Sequence, residues 1–403
     1  MKRRDFLKSA AVMGGAALTG VSSASEASKG EVSEKASIKK YNEIGKTGIK
    51  MSDVSFGCGK LSSASLIARA MDRGVNYFDT APDYGQSENV LGKAVKAIKK
   101  RDNMIIASKF CSPPSYPSHL AAGSPIKDYI KAVEGSLKRL NTEYLDFCFV
   151  HAMGEMSDTV EGEKKRLFDE NMLSAAEALK KAGKIRFLSV SSHGPENLGP
   201  LMMAAVKSGH YDMIMPSFNF MKFKDLSNVL EEAKKRRVGV IAMKTLAGAK
   251  DVDFDPRGEA FAPAAFKWVL NHSEVDGLVV TIKSVGDLDR YLPASGAKFR
   301  KADSDILKNY EQQHYADYCR TGCGDCIDSC ESGVKIPTAL RYKMYFEDYG
   351  MEKRAIESYA RLDGQAACCS SCEDDSCEKA CPYGLPVASM LKETHEQLSM
   401  SLS

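Results

Sequence analysis

The sequence lacks features that would point to several familiar classes of protein. None of its apolar runs reaches the roughly 18 residues of a transmembrane helix, so we expect no transmembrane anchor. Neither a G-x-G-x-x-G nor a Walker A motif occurs. The glycine-rich fingerprints of doubly wound dinucleotide-binding sheets and of P-loop proteins are therefore absent.

A surplus of one charge is also missing. The 403 residues include 56 Lys and Arg against 53 Asp and Glu, for a net charge of +3. Residues 1–30 account for this excess, since they hold five bases and two acids. Because binding to phosphates needs a cationic surplus, we expect no nucleic-acid partner. What the chain does have in excess is cysteine: nine of its 12 cysteines lie between Cys319 and Cys381.

The N-terminus has the three zones of an export signal. Paired arginines at Arg3-Arg4 precede an apolar stretch, Ala10–Val21, and a small-residue segment, Ser22–Ser28. This order is typical of the twin-arginine route. We predict that residues 1–30 are a twin-arginine signal peptide and that the protein acts on the periplasmic or cell-envelope side. That route carries folded proteins, so it suits a protein that receives a metal cofactor in the cytoplasm before export.

Short β-rich runs alternate with amphipathic helical stretches eight times through the middle of the chain. Alternation predicts parallel strands joined by right-handed crossovers. Eight units over about 250 residues are typical of a (β/α)8 TIM barrel, which we assign to residues 38–300. An open doubly wound sheet is the alternative. The predicted strands are Val54–Gly57, Val75–Asp79, Met104–Ser108, Leu145–Val150, Ile185–Val190, Asp212–Pro216, Val238–Met243 and Gly277–Thr281.

Polar side chains stand where several of these strands end, the face on which barrel enzymes place their chemistry. The second strand ends at Asp79 and is followed by Tyr84, the third ends at Lys109, and the fourth at His151. Taken singly, each could be a cap, a solvated charge or a neighbour of the core. Four titratable groups of complementary type on one rim are much rarer by chance.

The segments around these four residues resemble the aldo/keto reductase family. The matching strings are Asn76–Gly85, Glu88–Gly92, Ile106–Lys109 and Leu145–His151, and the resemblance runs from about Tyr41 to Pro293. It implies that Asp79, Tyr84, Lys109 and His151 form a catalytic tetrad. It also implies a nicotinamide cofactor, NADP(H) or NAD(H), bound without a Rossmann fold, and a small-molecule carbonyl or alcohol substrate.

These residue types suit carbonyl reduction. A tyrosine phenol ordinarily titrates near 10, too weak an acid unless a neighbouring ammonium lowers its pKa. We expect Lys109 to lower the pKa of Tyr84, Asp79 to hold Lys109, and His151 to orient the carbonyl. Because the same phenolate can act as a base on an alcohol, the direction of the reaction stays open.

The resemblance also implies which residues contact the cofactor, although several of these positions hold a residue that differs from the one usual in the family. Ser192 stands where relatives usually have Asn, Ser217 where many have Gln, and Met243-Lys244 where many have a stacking aromatic residue. A solvated strand-end lysine is the alternative for Lys283. The expected cofactor-binding residues are Ser191, Ser192, Ser217, Lys244, Lys283, Ser284 and Arg290.

Two cysteine runs define the last part of the chain, residues 305–403, as a small helical, ferredoxin-type domain. Each run is close to the C-x2-C-x2-C-x3-C-P pattern of [4Fe–4S] proteins, in which the fourth cysteine crosses to the other cluster. We expect two clusters rather than one. The first would be bound by Cys319, Cys323, Cys326 and Cys381, and the second by Cys369, Cys372, Cys377 and Cys330, with Cys368 able to replace Cys369.

A four-thiolate zinc site and disulfide bonds are the alternatives for these cysteines. Eight or nine clustered cysteines exceed the needs of one zinc ion, and export of a folded protein favours a cofactor loaded beforehand. This layout is also similar to that of some aldo/keto reductases, which carry ferredoxin-type tails with a helical insert between the cysteine motifs. Residues 336–362 would match that insert.

Three functions therefore stay open. The first is an exported aldo/keto reductase-type oxidoreductase whose iron–sulfur clusters serve electron transfer or structure, with a redox partner protein. The second is an exported iron–sulfur electron-transfer protein with a non-catalytic barrel, since free NADPH is not expected outside the cytoplasm. The third is a binding protein held together by zinc or disulfides.

Overall fold

The computed structural model describes residues 35–113, 118–156, 159–221, 226–247 and 261–399. The predicted signal peptide, 1–30, lies outside these ranges. The described chain from Lys35 onward forms one compact unit. None of the helices in these ranges has the length and apolar character needed to cross a membrane.

Eight parallel strands close into a barrel, and an antiparallel hairpin precedes it. The strands are β1 Tyr41–Glu43, β2 Lys50–Ser52, β3 Val54–Gly57, β4 Tyr77–Asp79, β5 Ile105–Lys109, β6 Leu145–Met153, β7 Ile185–Ser192, β8 Met213–Pro216, β9 Gly239–Ala242 and β10 Gly277–Thr281. β1 and β2 form the hairpin, and the barrel order is β10-β3-β4-β5-β6-β7-β8-β9. The predicted (β/α)8 barrel is thus confirmed, and the open sheet is excluded.

Helices alternate with the barrel strands and then continue beyond them. The barrel helices are α1 Ala64–Asp72, α2 Ser87–Ile98, α3 Ile126–Leu140, α4 Val160–Leu167, α5 Glu170–Lys181, α6 Leu198–Ser208, α7 Leu226–Arg236, α8 Phe261–Leu270 and α9 Val285–Tyr291. The later helices are α10 Lys301–His314, α11 Ile336–Glu347, α12 Glu352–Ala360, α13 Ser376–Lys379 and α14 Val387–Leu398. The predicted domain boundary near residue 305 falls inside α10, which packs on the barrel helix α8.

The strands are buried on both faces, which explains their apolar runs. Side chains that point into the barrel form one cluster, which includes Tyr77, Phe147 and Phe149. Ile44 and Met51 of the β1–β2 region join this cluster and fill the end of the barrel where the strands begin. The opposite end, where the strands finish, is left for polar side chains.

Residues 319–399, here called the C-terminal lobe, have an apolar core of their own that includes Ile336, Tyr345 and Tyr359. The lobe lies over loops at the carboxyl ends of the strands. The Gly322 N–H donates to the Pro195 carbonyl at 2.6 Å, and the Thr338 hydroxyl donates to Glu196 at 2.9 Å. It therefore covers the mouth of the barrel.

Two helical glycines offer a matched test of this packing. In Gly92→Ala the new Cβ in α2 would collide with the backbone carbonyl of Arg139, whereas in Gly135→Ala it would meet only the flexible end of the Arg139 side chain, at 3.1 Å. We expect Gly92→Ala to lower the free energy of unfolding by about 1–3 kcal/mol. Gly135→Ala should leave it unchanged or raise it by up to about 1 kcal/mol, because alanine favours helix. Equal effects in denaturant unfolding would contradict this account.

Candidate active site

The site is built on an ion pair at the ends of β4 and β5. The Lys109 ammonium lies 2.7 Å from an Asp79 carboxylate oxygen and also donates to the Thr80 carbonyl at 2.8 Å. Only 2% of Lys109 is exposed. Burial raises the pKa of Asp79, and Lys109 opposes that shift. Parallel pairing of β4 with β5 places the two residues on the same rim.

Tyr84 and His151 complete the predicted group of four. The Tyr84 hydroxyl is 3.4 Å from His151 Nε2, and the Lys109 ammonium is 5.0 Å from the centre of the Tyr84 ring. The β6–β7 pairing shifts register between Val150 and Met153, so His151 lies in a bulge of the strand. Bulges of this kind redirect side chains beside functional sites. The structure therefore brings all four residues together at one place.

The expected lowering of the Tyr84 pKa by Lys109 is wrong for this structure. Burial raises the pKa of Tyr84 well above its usual value, and the nearby carboxylates of Asp79 and Asp83 raise it further. The Lys109 charge is already paired with Asp79 and so gives the phenolate little net support. The opposing influence comes from Arg354 of the C-terminal lobe.

Three residues that the sequence analysis left out of the site surround the far side of His151. His151 Nδ1 lies 3.2 Å from the Cys111 sulfur and 3.6 Å from an Asp83 oxygen, and His119 stands beside both. Burial lowers the pKa of His151 and of His119 well below the usual value, so both imidazoles are neutral near pH 7. Cys111 and His119 follow the strand that carries Lys109. Their position after a strand end was the sequence signal that could have placed them at the site.

The serines expected at the nicotinamide carboxamide are engaged elsewhere. The Ser191 hydroxyl accepts the Ala152 N–H at 3.1 Å, and the Ser192 hydroxyl donates to the Met153 carbonyl at 2.8 Å. Both bonds tie β7 to the end of β6. Ser217 is buried beside Met243 at the ends of the next two strands.

The expected phosphate-binding residues stand at the start of α9. Lys283 and Ser284 are exposed there, and Arg290 is half-buried at the other end of the helix. The backbone N–H groups of Lys283 and Ser284 both donate to the Asp287 carboxylate, at 2.7 and 3.0 Å. An acidic group therefore occupies the donors that a phosphate would use at this helix start.

Residues of the C-terminal lobe fill the mouth above Lys244. Its ammonium lies 4.6 Å from the Tyr349 ring centre and 5.7 Å from that of Tyr345. Burial lowers the pKa of Lys244 to about 7, and Arg341 and Arg354 lower it in the same direction. Lys244 also has a positive φ of 56°, an uncommon conformation for a side-chain-bearing residue, which is often found at functional sites.

A second contact group fastens the lobe to the barrel. Glu155 lies 2.5 Å from His193 and 3.8 Å from Arg354. The Tyr345 hydroxyl is 3.4 Å from His193 Nδ1, and Arg354 lies over the Tyr345 ring. These contacts position Arg354 and Tyr345 at the rim that holds the four predicted catalytic residues.

The space left at the mouth is a small cavity lined by Ser217, Lys244, Tyr349 and the cysteine at the start of the first run, Cys319. A larger cleft of about 760 Å³ lies at the other end of the barrel, beside Asn76 and Met104. The larger cleft is remote from the site because those residues precede β4 and β5.

The cysteines of the C-terminal lobe lie close to one another in two places. A small cavity is lined by Cys319, Cys323, Cys326 and Cys381. In the other set, Cys330, Cys368 and Cys372 are close enough to Cys369 to raise the pKa of its thiol, and Cys330 does the same to Cys377. The 12 cysteines, all of which lie within the described ranges, are not paired in disulfide bonds in this structure.

Comparisons with known proteins agree with this geometry. The sequence profile of the aldo/keto reductase family matches residues 58–260, half of the chain. The chain belongs to the aldo/keto reductase family. This confirms the resemblance seen in the sequence and supports an enzyme of the oxidoreductase class; the iron–sulfur tail and the export signal stay predictions.

Individual relatives are more distant. The chain is 31% identical over 222 residues to the aldo-keto reductase YhdN of Bacillus subtilis, covering 51% of this chain and 62% of that protein. It is 25% identical to L-galactose dehydrogenase of Arabidopsis thaliana over 62% of this chain and 86% of that one. The holo form of the aldo-keto reductase AKR11C1 from Bacillus halodurans matches with a TM-score of 0.52 at 21% identity, over 67% of this chain and 95% of that one, and shares the fold.

The buried ion pair can be tested by a double-mutant cycle. Asp79→Asn leaves the Lys109 ammonium buried without its counter-charge, so we expect a loss of about 3–5 kcal/mol in the free energy of unfolding. The double variant Asp79→Asn, Lys109→Met removes both charges, so its loss in the free energy of unfolding should be smaller than that of Asp79→Asn alone. Additive losses in denaturant titrations would show that the two charges do not depend on each other.

Proposed function

We propose that this protein is an oxidoreductase that transfers hydride between a nicotinamide cofactor and a small carbonyl or alcohol. The observation that carries the proposal is the gathering of Asp79, Tyr84, Lys109 and His151 on one rim of the barrel. The non-catalytic barrel is less favoured, because a docking scaffold has no need of an ammonium buried in this way.

The chain's own residues provide the proton. A phenol with a raised pKa keeps its proton near neutral pH, so Tyr84 is set to donate its O–H proton to a carbonyl oxygen. His151 Nε2 lies beside that hydroxyl and would orient the same oxygen. A raised pKa also makes the phenol a weak acid, so the phenolate that remains needs a positive charge beside it. Arg354 of the C-terminal lobe supplies that charge, since it opposes the rise in the Tyr84 pKa. Reduction is accordingly the proposed direction.

A nicotinamide, when bound, supplies the hydride. Ser217 and Lys244 line the mouth cavity and suit a polar carboxamide, but Tyr349 and Arg341 line the same cavity. Binding of a dinucleotide at this place therefore requires the C-terminal lobe to move away from the strand ends. Exposed Lys283 and half-buried Arg290 suit phosphates, while Asp287 opposes them, so the proposal covers NADP(H) and NAD(H) alike.

Replacement of the proposed proton donor is the direct test of activity. Tyr84→Phe should lower kcat for reduction of an aldehyde and ketone panel by about 10²–10⁴-fold, the usual contribution of a positioned acid. Dinucleotide affinity, measured by fluorescence titration, should change little. Tyr211→Phe removes another buried hydroxyl, which donates to the Leu167 carbonyl, and is the matched control. Unchanged turnover in Tyr84→Phe would rule out this chemistry.

We further propose that the two cysteine sets bind [4Fe–4S] clusters that pass electrons one at a time. Support comes from the four thiols around one cavity and from Cys319, which also lines the mouth cavity with Ser217 and Lys244. A cluster held there would lie beside the proposed nicotinamide position. Nine clustered cysteines also exceed the four that a single zinc ion binds.

Iron analysis separates these clusters from zinc or disulfides. Anaerobically purified full-length protein should contain about eight iron atoms and eight sulfides per chain, with the visible absorption of cubane clusters. Cys323→Ala should lose about half of the iron. Cys148→Ala, a buried cysteine of β6 outside both sets, should lose none. A colourless wild-type protein free of iron would refute cluster binding.

We propose a redox partner protein because the two cysteine sets would carry electrons to or from the barrel. We propose export by the twin-arginine route from residues 2–28 alone. Fractionation of cells that express the wild type or an Arg3→Lys, Arg4→Lys variant tests export. Wild-type protein that stays in the cytoplasm would contradict it.

A further inference from the structure

Four side chains of the types that bind metal ions, Asp83, Cys111, His119 and His151, lie together beneath the predicted tetrad, away from the cysteine runs. Asp83 comes from the loop after β4, and His151 from the end of β6. Cys111 and His119 face each other across an antiparallel bridge, which is reinforced by the Ser112 N–H donating to the Ser118 carbonyl at 2.9 Å. Three separate segments of the chain thus converge on one point.

The spacing of the four donor atoms is that of a tetrahedral metal site. The Cys111 sulfur lies 3.4 Å from His119 Nδ1 and 3.2 Å from His151 Nδ1, and Asp83 Oδ2 lies 3.7 and 3.6 Å from the same two nitrogens. Zinc bonds of about 2.0–2.3 Å give tetrahedral edges of about 3.3–3.7 Å. All four ligand atoms lie within 4.8 Å of one another.

Burial and charge point in the same direction. The side chains of Asp83 and His119 have no exposed surface, and that of His151 has 3%. The Asp83 carboxyl faces a thiol and two neutral imidazoles. The cations whose charges reach the cluster are already paired, Lys109 with Asp79 and Arg166 with Glu163. A carboxylate and a thiolate in a dry site need two positive charges, and a divalent cation supplies both.

We propose that Asp83, Cys111, His119 and His151 bind one divalent transition-metal ion, and that zinc is the best match. Zinc accepts thiolate sulfur, imidazole nitrogen and carboxylate oxygen in four-coordinate sites. Calcium and magnesium prefer oxygen ligands alone. Four protein ligands and the absence of exposed surface on the donors make the site structural rather than a place where substrate binds.

The ion would also position a residue of the predicted tetrad. Ligation through His151 Nδ1 leaves the proton of a neutral imidazole on Nε2, the nitrogen that faces the Tyr84 hydroxyl. His151 is then fixed as a hydrogen-bond donor toward the reaction site. The existence of the metal site does not depend on the proposed function, because its ligands and spacing stand whether or not the barrel reduces carbonyls.

Metal analysis on the full-length protein tests the proposal. Protein purified anaerobically from zinc-supplied cells should contain one molar equivalent of zinc that His119→Gln lacks. His119→Cys supplies another zinc ligand and should keep it, as should Cys148→Ala, which removes a buried sulfur outside the cluster. X-ray absorption at the zinc edge should show imidazole nitrogen and a single sulfur, because the C-terminal sets contain only sulfur.

Two results would overturn the site. One is wild-type protein whose zinc content equals that of a His119→Gln variant with the same far-UV circular dichroism. The other is an all-sulfur zinc spectrum, or no zinc at all, in the wild type. The wild-type measurements decide the question even where the His119→Gln variant fails to fold.

Discussion

A buried ammonium needs a counter-charge, and the active-site end of this barrel is arranged around that requirement. Lys109 is held at 2.7 Å from Asp79, between strands that hydrogen-bond to each other. An unpaired charge in this position would cost several kcal/mol, so the pair can persist only while both partners are present. Tyr84 packs over the ammonium and His151 packs against Tyr84. The geometry of the four residues therefore depends on this one ion pair.

The C-terminal lobe adds a second constraint, since it excludes water from the same rim. Burial raises the pKa of Tyr84 and lowers that of Lys244 to about 7. Both shifts favour the neutral form of the group. Arg354, from the lobe, works against the shift at Tyr84. The lobe thus both buries the site and contributes charge to it. Movement of the lobe should therefore change the pKa values of Tyr84 and Lys244.

Much of the fold could be predicted from local pattern. Strand–helix alternation was sufficient for the barrel, and the strings ending at Asp79, Lys109 and His151 were sufficient for the family. The shift of the Tyr84 pKa was predicted in the wrong direction. The pairing of Lys109 with Asp79 and the burial of the site by the C-terminal lobe are tertiary features that local sequence does not show. The Ser284-x-x-Asp287 spacing, by contrast, is that of a capping box, so the bond from the Ser284 N–H to Asp287 had a local signal that the sequence analysis did not use.

The proposed metal site shows the same limit more clearly. Cys111 and His119 are eight residues apart, but their approach to Asp83 and His151 depends on closure of the barrel. Cysteine spacing in the C-terminal runs, by contrast, is local, and the structure places Cys319, Cys323, Cys326 and Cys381 around one cavity. Short-range spacing was therefore informative where neighbouring residues supply most of a side-chain group, and uninformative where separate strands supply it.

The most direct test of the account is a crystal structure of the full-length protein, grown anaerobically with a reduced nicotinamide dinucleotide. We expect a nicotinamide ring at the carboxyl ends of the strands, between Tyr84 and Lys244, with Tyr345 and Tyr349 displaced. A dinucleotide found only in the cleft beside Asn76 and Met104, or none at saturating concentration, would contradict the account.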